Sequence, residues 1–196
     1  MCSGTGIISI LLSNKTKLKK IYSVEIQKNV ADMSKRSVAL NNLENKIEVL
    51  NMDLKNLSKT FSSSSFDAIV TNPPYKKLET GLTNTNNQKL ISRHEILCNL
   101  EDIISVSSYL LKNNGSFYMV HRPDRLADII YLLRKYNLEP KLLRFVQPFQ
   151  CKAPNMLLVK AVKNAKPFLK VQEPLIVYNN DKSYTDEILK IYSKKV

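Results

Sequence analysis

An open α/β sheet of the wound, Rossmann-like kind is the fold class this sequence predicts, mostly parallel and ending in an antiparallel hairpin, and three observations carry it. Short apolar runs recur with amphipathic helical stretches between them, as in parallel strands joined by helical crossovers. A glycine-containing turn, Ser3-Gly4-Thr5-Gly6, leads straight into the apolar run Ile7 to Leu12, as a loop opening a helix does. The last two apolar runs are separated by only about eight residues, too few for a parallel crossover of a dozen or more, so they should pair antiparallel.

Taken in order, Ile21 to Val24, Ile47 to Leu50, Phe66 to Thr71 and Ser116 to Val120 read as short buried strands. Lys28 to Leu40 reads as a helix with Val30, Met33, Ser37 and Leu40 spaced for its inner face, and Leu100 to Leu111 as another. Asp124 to Tyr136 is a third, with Asp124 placed as its cap and Leu126, Ile129, Ile130 and Leu133 along its inner stripe. Leu142 to Val146 and Asn155 to Val162 form the terminal hairpin. Thr185 to Lys195 reads as a last helix with a packing role, Asp186 and Glu187 in its first turn and Lys194 and Lys195 in its last, as the helix dipole favours. Ser62 to Ser65 reads as a polar loop, and Thr80 to Lys89, rich in Asn and Thr, as a mobile one. With no internal repeat or linker, residues 1–196 are expected to form a single domain.

Composition narrows the function. The chain is 43% apolar, enough for a core without disulfides or metal. Thirty Lys and Arg against seventeen Asp and Glu give a net charge of +13 and a pI near 9.6, which favours a polyanionic partner such as nucleic acid. An A/T-rich genome, which favours Lys, Asn and Ile codons, is the plain alternative. Cys2, Cys98 and Cys151 are far apart and odd in number, and His94 and His121 make no ligand spacing with them, so neither a disulfide framework nor a metal site is expected. No apolar run approaches the roughly 20 residues that span a bilayer, and no basic segment followed by an apolar stretch opens the chain; a cytoplasmic location is expected.

Four features fall in the order a methyl-donor site requires. The glycine turn lets backbone pass close to a ligand, although Ser9 stands where a dinucleotide fingerprint has its third glycine. Glu25 follows the strand that starts at Ile21 and can accept hydrogen bonds from both hydroxyls of a ribose, with a helix N-terminal acid as the alternative reading. Ile26 sits beside it. Beyond the strand that starts at Ile47, Met52 can lie along an adenine ring while Asp53 accepts from its amine; an ordinary solvated acid is the alternative. Asn72-Pro73-Pro74-Tyr75 directly follows the strand Phe66 to Thr71. At average residue frequencies Asn-Pro-Pro-aromatic arises by chance in roughly one chain in several hundred of this length, which makes it the most specific of the four. A rigid turn closing a strand is its bland reading.

That turn suits methylation of an exocyclic adenine amine, whose lone pair is delocalised into the ring. The Asn72 side-chain oxygen and the Pro73 carbonyl can each accept one amine hydrogen, and two prolines preset both acceptors. Tyr75 can stack on the base, a contact worth about 1–3 kcal/mol. S-adenosyl-L-methionine already carries a good leaving group, so alignment rather than a metal or strong base supplies the acceleration.

The parallel sheet with an antiparallel terminal hairpin fits methyltransferases rather than dehydrogenases, and the chain resembles the bacterial tRNA1(Val) adenine-N6 methyltransferases. The likeness rests on the four features together with Arg93-His94-Glu95, Met119-Val120-His121-Arg122-Pro123, Asp124-Arg125-Leu126-Ala127, Leu143-Arg144-Phe145-Val146 and Leu175-Ile176-Val177-Tyr178. It implies that Ser3, Gly4, Gly6, Glu25, Ile26, Met52, Asp53 and Asn72 hold S-adenosyl-L-methionine and that Asn72 to Tyr75 receives an adenine of the tRNA anticodon loop. It also implies that Arg93, His94, His121 and Arg122 lie near RNA; local capping and strand-end hydrogen bonding is the alternative for these.

Members of that family carry a strand and a preceding helix ahead of the glycines, whereas this chain opens at Met1 inside the motif. An N-terminally incomplete domain is therefore expected, with the inner edges of the strands Ile21 to Val24 and Phe66 to Thr71 left unpaired. Two other functions remain open. Release-factor glutamine N5-methyltransferases use the same four-residue loop on an amide, and a non-catalytic RNA-binding remnant would keep the basic surface without the donor pocket.

Overall fold

The computed structural model describes residues 1–75 and 99–193. Helix α1 (Ile7–Lys15) follows the glycine turn and feeds strand β1 (Ile21–Glu25); α2 (Lys28–Leu40) returns the chain to β2 (Ile47–Asn51), which pairs with β1 in parallel. After a short helix, α3 (Leu57–Thr60), comes β3 (Phe66–Thr71). Helix α4 (Leu100–Leu110) leads directly into β4 (Leu111–His121), parallel to β3, and α5 (Leu126–Lys135) into β5 (Leu138–Gln147). Strand β6 (Met156–Lys163) lies antiparallel to both β4 and β5. The expected hairpin is present, and it inserts β6 between β4 and β5. Two short strands, β7 (Lys170–Val171) and β8 (Leu175–Ile176), add in parallel to β5, and α6 (Asp186–Ser193) ends the described chain.

The strands make a mixed sheet in the order β3-β4-β6-β5-β7, with β8 also on β5, and a separate two-stranded ladder of β1 and β2. Alternation of side chains along a strand turns Phe117 and Met119 of β4 and Leu157, Val159 and Ala161 of β6 to one face, where they meet Ile103 and Ile104 of α4 and Ile129 and Leu133 of α5. Each of these apolar side chains other than Ala161 contributes about 1.5–3 kcal/mol by its burial. A smaller cluster of Ile10, Val38 and Ile47 ties α1 and α2 to β2. No described helix is long and apolar enough to cross a membrane.

Two helices differ from the sequence reading in instructive ways. Helix α2 buries Ala31, Ser34 and Val38, not the larger residues spaced along Val30, Met33, Ser37 and Leu40; Met33 and Leu40 are exposed. Small residues win this face because α2 packs hard against the glycine turn. At α5, Asp124 is not the cap: Pro123–Arg125 form a 3-10 turn, and Arg125 takes the cap position with no capping hydrogen bond from its side chain. Helix α4 carries a full capping box, in which Asn99 Oδ1 accepts from Asp102 N–H at 2.8 Å and Asp102 Oδ2 from Asn99 N–H at 3.2 Å. The segment Thr80 to Lys89 and residues Lys194 and Lys195 lie outside the described residues.

Candidate active site

Gly4 and Gly6 enter α1 with φ of +55° and +90°, left-handed conformations that cost an L-residue roughly 1–2 kcal/mol. Gly6 has no room for a side chain, since a Cβ there would meet Ser34 Oγ at 2.5 Å. A Cβ on Gly4 would stand in open space, with nothing within 4 Å, and so would fill the cleft that Gly4 borders. Glu25 braces this turn. Its Oε2 accepts from Gly4 N–H at 2.9 Å and its Oε1 from Gln27 N–H at 3.1 Å, which accounts for a carboxylate only 7% exposed. Both oxygens keep a second lone pair for a ligand hydroxyl.

The loops after β1 and β2 are knit together. The Asn51 side-chain amide donates to the carbonyls of Glu25 at 2.9 Å and Ile26 at 3.0 Å, and Met52 N–H to the Glu25 carbonyl at 3.2 Å. Asp53 caps the 3-10 turn Leu54–Asn56, its Oδ1 accepting from Lys55 N–H at 2.9 Å. Neither Asn51 nor Ser34 stood out in the sequence, though Asn51 immediately precedes the Met52-Asp53 pair.

Across the cleft, the parallel register of Thr71 with Met119 brings the turn Asn72 to Tyr75 beside the end of β4. The Tyr75 hydroxyl donates to Asn72 Oδ1, closing the turn on itself. Its ring meets that of His121 edge to face, centroids 5.4 Å apart at 67°. Burial pushes the Tyr75 phenol above its ordinary range, against the bond to Asn72. His121 is only 2% exposed, and its Nδ1 accepts from Arg122 N–H at 2.8 Å, which places the proton of the neutral ring on Nε2. Burial, the largest influence, holds this imidazole below its usual value. His121 therefore backs Tyr75 instead of presenting an edge to RNA, the strand-end alternative left open by its position.

The two sides meet at one solvent-open cleft of about 760 Å³ that Gly4, Glu25, Ile26, Met52, Asp53, Asn72 and Pro74 line together with Cys2, Val24, Gln27 and Leu54. Ser3, Gly6, Pro73 and Tyr75 are not among its lining residues. Ser3 Oγ is buried with no partner among the described residues, a polar atom for which a bound ligand is one source of a hydrogen bond. Arg122 is exposed, its Nε 3.7 Å from Asp124 Oδ2; Arg93 and His94 lie outside the described residues. Among the described residues no cluster of His, Cys, Asp and Glu could hold a metal. The glycine cradle, an acid beside it and an apolar wall of Ile26, Met52 and Leu54 fit S-adenosyl-L-methionine.

The architecture is the Rossmann-like class I methyltransferase fold. A predicted O-methyltransferase from Agrobacterium tumefaciens superposes with a TM-score of 0.76 at 19% identity, covering 96% of this chain and 84% of that one. Geranyl diphosphate C-methyltransferase from Streptomyces coelicolor A3(2), solved with S-adenosyl-L-homocysteine, gives 0.60 at 11% identity, covering 82% and 68%. The methyltransferase small domain family matches residues 1–127, and the chain belongs to that family. A tRNA1(Val) (adenine(37)-N6)-methyltransferase from Porphyromonas gingivalis is 27% identical over 158 residues, 80% of this chain and 61% of the relative. One from Haemophilus influenzae is 23% identical over 196 residues, covering 97% of this chain and 79% of its own length. The chain thus spans about three fifths of the P. gingivalis relative, 61%.

Proposed function

We propose that this chain transfers the methyl group of S-adenosyl-L-methionine to the exocyclic N6 amine of an adenine in the tRNA anticodon loop. One observation carries the reading: Asn72 and Pro74 of the turn line the same cleft as Gly4 and Glu25, so an amine acceptor site and a donor site adjoin. When bound, S-adenosyl-L-methionine supplies an electrophilic methyl on a sulfonium. Gly4, Glu25, Ile26, Met52 and Asp53 hold the donor, with Ser3 and Gly6 shaping the turn behind them. Asn72 Oδ1 and the Pro73 carbonyl each accept one amine hydrogen, which turns the nitrogen lone pair towards the methyl. Asn72 Oδ1 exchanges its Tyr75 hydroxyl partner for the amine or keeps both, as two lone pairs allow. Pro74 stiffens the turn, and Tyr75, backed by His121, offers a face to the base. Exposed Arg122 meets phosphate, as do Arg93 and His94.

The experiment is incubation of the chain with methyl-labelled donor and unmodified tRNA, followed by nucleoside analysis. N6-methyladenosine is expected, and tRNA affinity should fall with salt at a log–log slope of about −0.7 per contacted phosphate of a single strand. Label on release-factor glutamine and none on tRNA would overturn the reading in favour of amide methylation. Binding of tRNA with no donor binding by calorimetry would overturn it in favour of a non-catalytic RNA binder.

A further inference from the structure

Away from the glycine turn, the carboxyl edge of the sheet carries a second group of rings. Strands β3, β4, β5 and β8 run the same way, so the segments that follow them open on one edge. Tyr75 meets His121 at the end of β4, and Phe149 and Tyr178 each stand two residues past the ends of β5 and β8. Phe149 packs on Tyr178 at 5.6 Å, Tyr178 lies nearly parallel to Tyr184 at 5.3 Å and 20°, and Tyr192 of α6 leans on Tyr184 at 5.8 Å and 53°. Hydrogen bonds preset this stack. Val177 and Tyr178 N–H bond to the Gln147 and Pro148 carbonyls, each at 2.9 Å, and Tyr178 bridges to Tyr184. The Asn179 amide closes the turn between them, donating to Ser183 Oγ at 3.0 Å and to the Tyr184 carbonyl at 3.2 Å. The outer end of the stack stays open, with Tyr184 42% and Tyr192 70% exposed. Helix α6 buries Ile188 alone, so these two rings do not serve a core.

We propose, on the reading that RNA is the substrate, that a second unpaired base of the same strand stacks on the Tyr184–Tyr192 end, with Lys152 and Lys182 on the flanking phosphates. From β4 through β6 and β5 to β8 is three strand spacings, about 14 Å, or about four nucleotides stacked at about 3.4 Å each. The base on Tyr75 and the base on Tyr184 and Tyr192 thus belong to one short stretch. Rings suit this ligand because every base offers a π-face, whatever its identity. Charge suits it as well. Lys152 is exposed in the β5–β6 turn, its N–H on the Phe149 carbonyl at 3.0 Å, and Lys182 is exposed in the turn before Tyr184. Lys182 holds φ +68°, a left-handed conformation that turns ordinarily give to glycine or asparagine, so what the lysine adds there is its side chain. Of the nearby carboxylates, Asp181 accepts from the N–H and hydroxyl of Ser183, and Glu187 from Arg144. Asp186, in the first turn of α6, is outnumbered by the two lysines.

The test measures binding of a fluorescein-labelled, unmodified anticodon stem–loop RNA to the full chain by anisotropy, with no methyl donor present. Tyr184→Ala combined with Tyr192→Ala should raise Kd about tenfold or more. Tyr184→Phe combined with Tyr192→Phe should bind as the parent does, and neither pair should alter the salt slope. Lys152→Ala and Lys182→Ala should instead each flatten that slope by about 0.7. Abasic RNAs, each lacking one base of the loop, complete a double-mutant cycle. At one position the RNA alone should show the tenfold loss, and the paired Ala substitutions should then add nothing. Unchanged affinity in the Ala variant, an equal loss in the Phe variant, or an Ala penalty that persists with every abasic RNA would each overturn the proposal, the last by showing that the rings only shape the fold. A parent chain that binds no RNA would overturn the RNA reading along with it. Tight binding by parent and Ala variant alike would remove this contact only and leave the proposed reaction standing.

Discussion

On the β1–β2 side of the cleft the glycine turn is held by hydrogen bonds, Gly4 N–H to Glu25 and the Asn51 amide to the Glu25 and Ile26 carbonyls. On the β3–β4 side two proline rings and an edge-to-face pair, Tyr75 on His121, hold the turn Asn72 to Tyr75. Hydrogen-bonded bracing is graded, each bond worth about 0.5–1.5 kcal/mol and about 1.5–3 where one partner is charged. Proline bracing is set by covalent geometry before any ligand arrives. Damage to the first side should therefore appear as weaker donor binding, and damage to the second as slower transfer with the donor still bound.

The sharpest separation comes from Asn72→Ala. Loss of one preset polar partner of the reacting group should lower kcat by about 10²–10³-fold, with donor affinity by calorimetry nearly unchanged. Gly6→Ala strikes the other side, forcing a side chain into φ +90° and against Ser34 Oγ. Donor Kd should weaken about tenfold or more, from a penalty of roughly 1–2 kcal/mol in backbone conformation alone. Adding Ser34→Ala should recover the steric part and not the conformational part, which donor titration of the double variant measures. Glu25→Gln keeps the shape but turns an NH2 towards a backbone donor. A loss near 1.5 kcal/mol gives about tenfold weaker donor binding with kcat held, and a fall in kcat alone would erase the contrast between the two sides.

The smallest effect concerns His121. Its folded-state pKa lies below the ordinary value near 6.5, so below that pH the unfolded chain binds the proton more readily than the folded one. The contribution to stability is complete above about 6.5 and declines as pH falls towards the depressed folded value. His121→Phe keeps a ring against Tyr75 and removes the titration. Urea midpoints measured at about pH 7.5 and 5.5 should then differ less than in the parent; an unchanged difference would show that His121 is not the group responsible.

Much of this was legible from residues alone because it rests on local rules. The strand that begins at Phe66 and the turn that ends it follow from an apolar run broken by two prolines, and the β5–β6 hairpin from a connection too short to cross over. The glycines announced a close approach, but not what approaches. Ser34 supplies it, and that contact makes Ala31, Ser34 and Val38 the buried face of α2 where periodicity favoured bulkier neighbours. For His121 the sequence offered a place near RNA or a strand-end hydrogen bond but not its packing against Tyr75, since its burial follows from β4 lying next to β3, a tertiary fact. Asp124 fitted the composition of a cap, yet Pro123 opens a 3-10 turn that moves the helix start to Leu126.

Whether the glycine side and the proline side form one site is tested most directly by titrating the chain with S-adenosyl-L-homocysteine while following the Gly4 backbone amide and the Asn72 side-chain amide by NMR. Both resonances should move along one binding curve with a single Kd. Movement of Gly4 with Asn72 unperturbed at saturation, or of neither, would contradict a shared cleft.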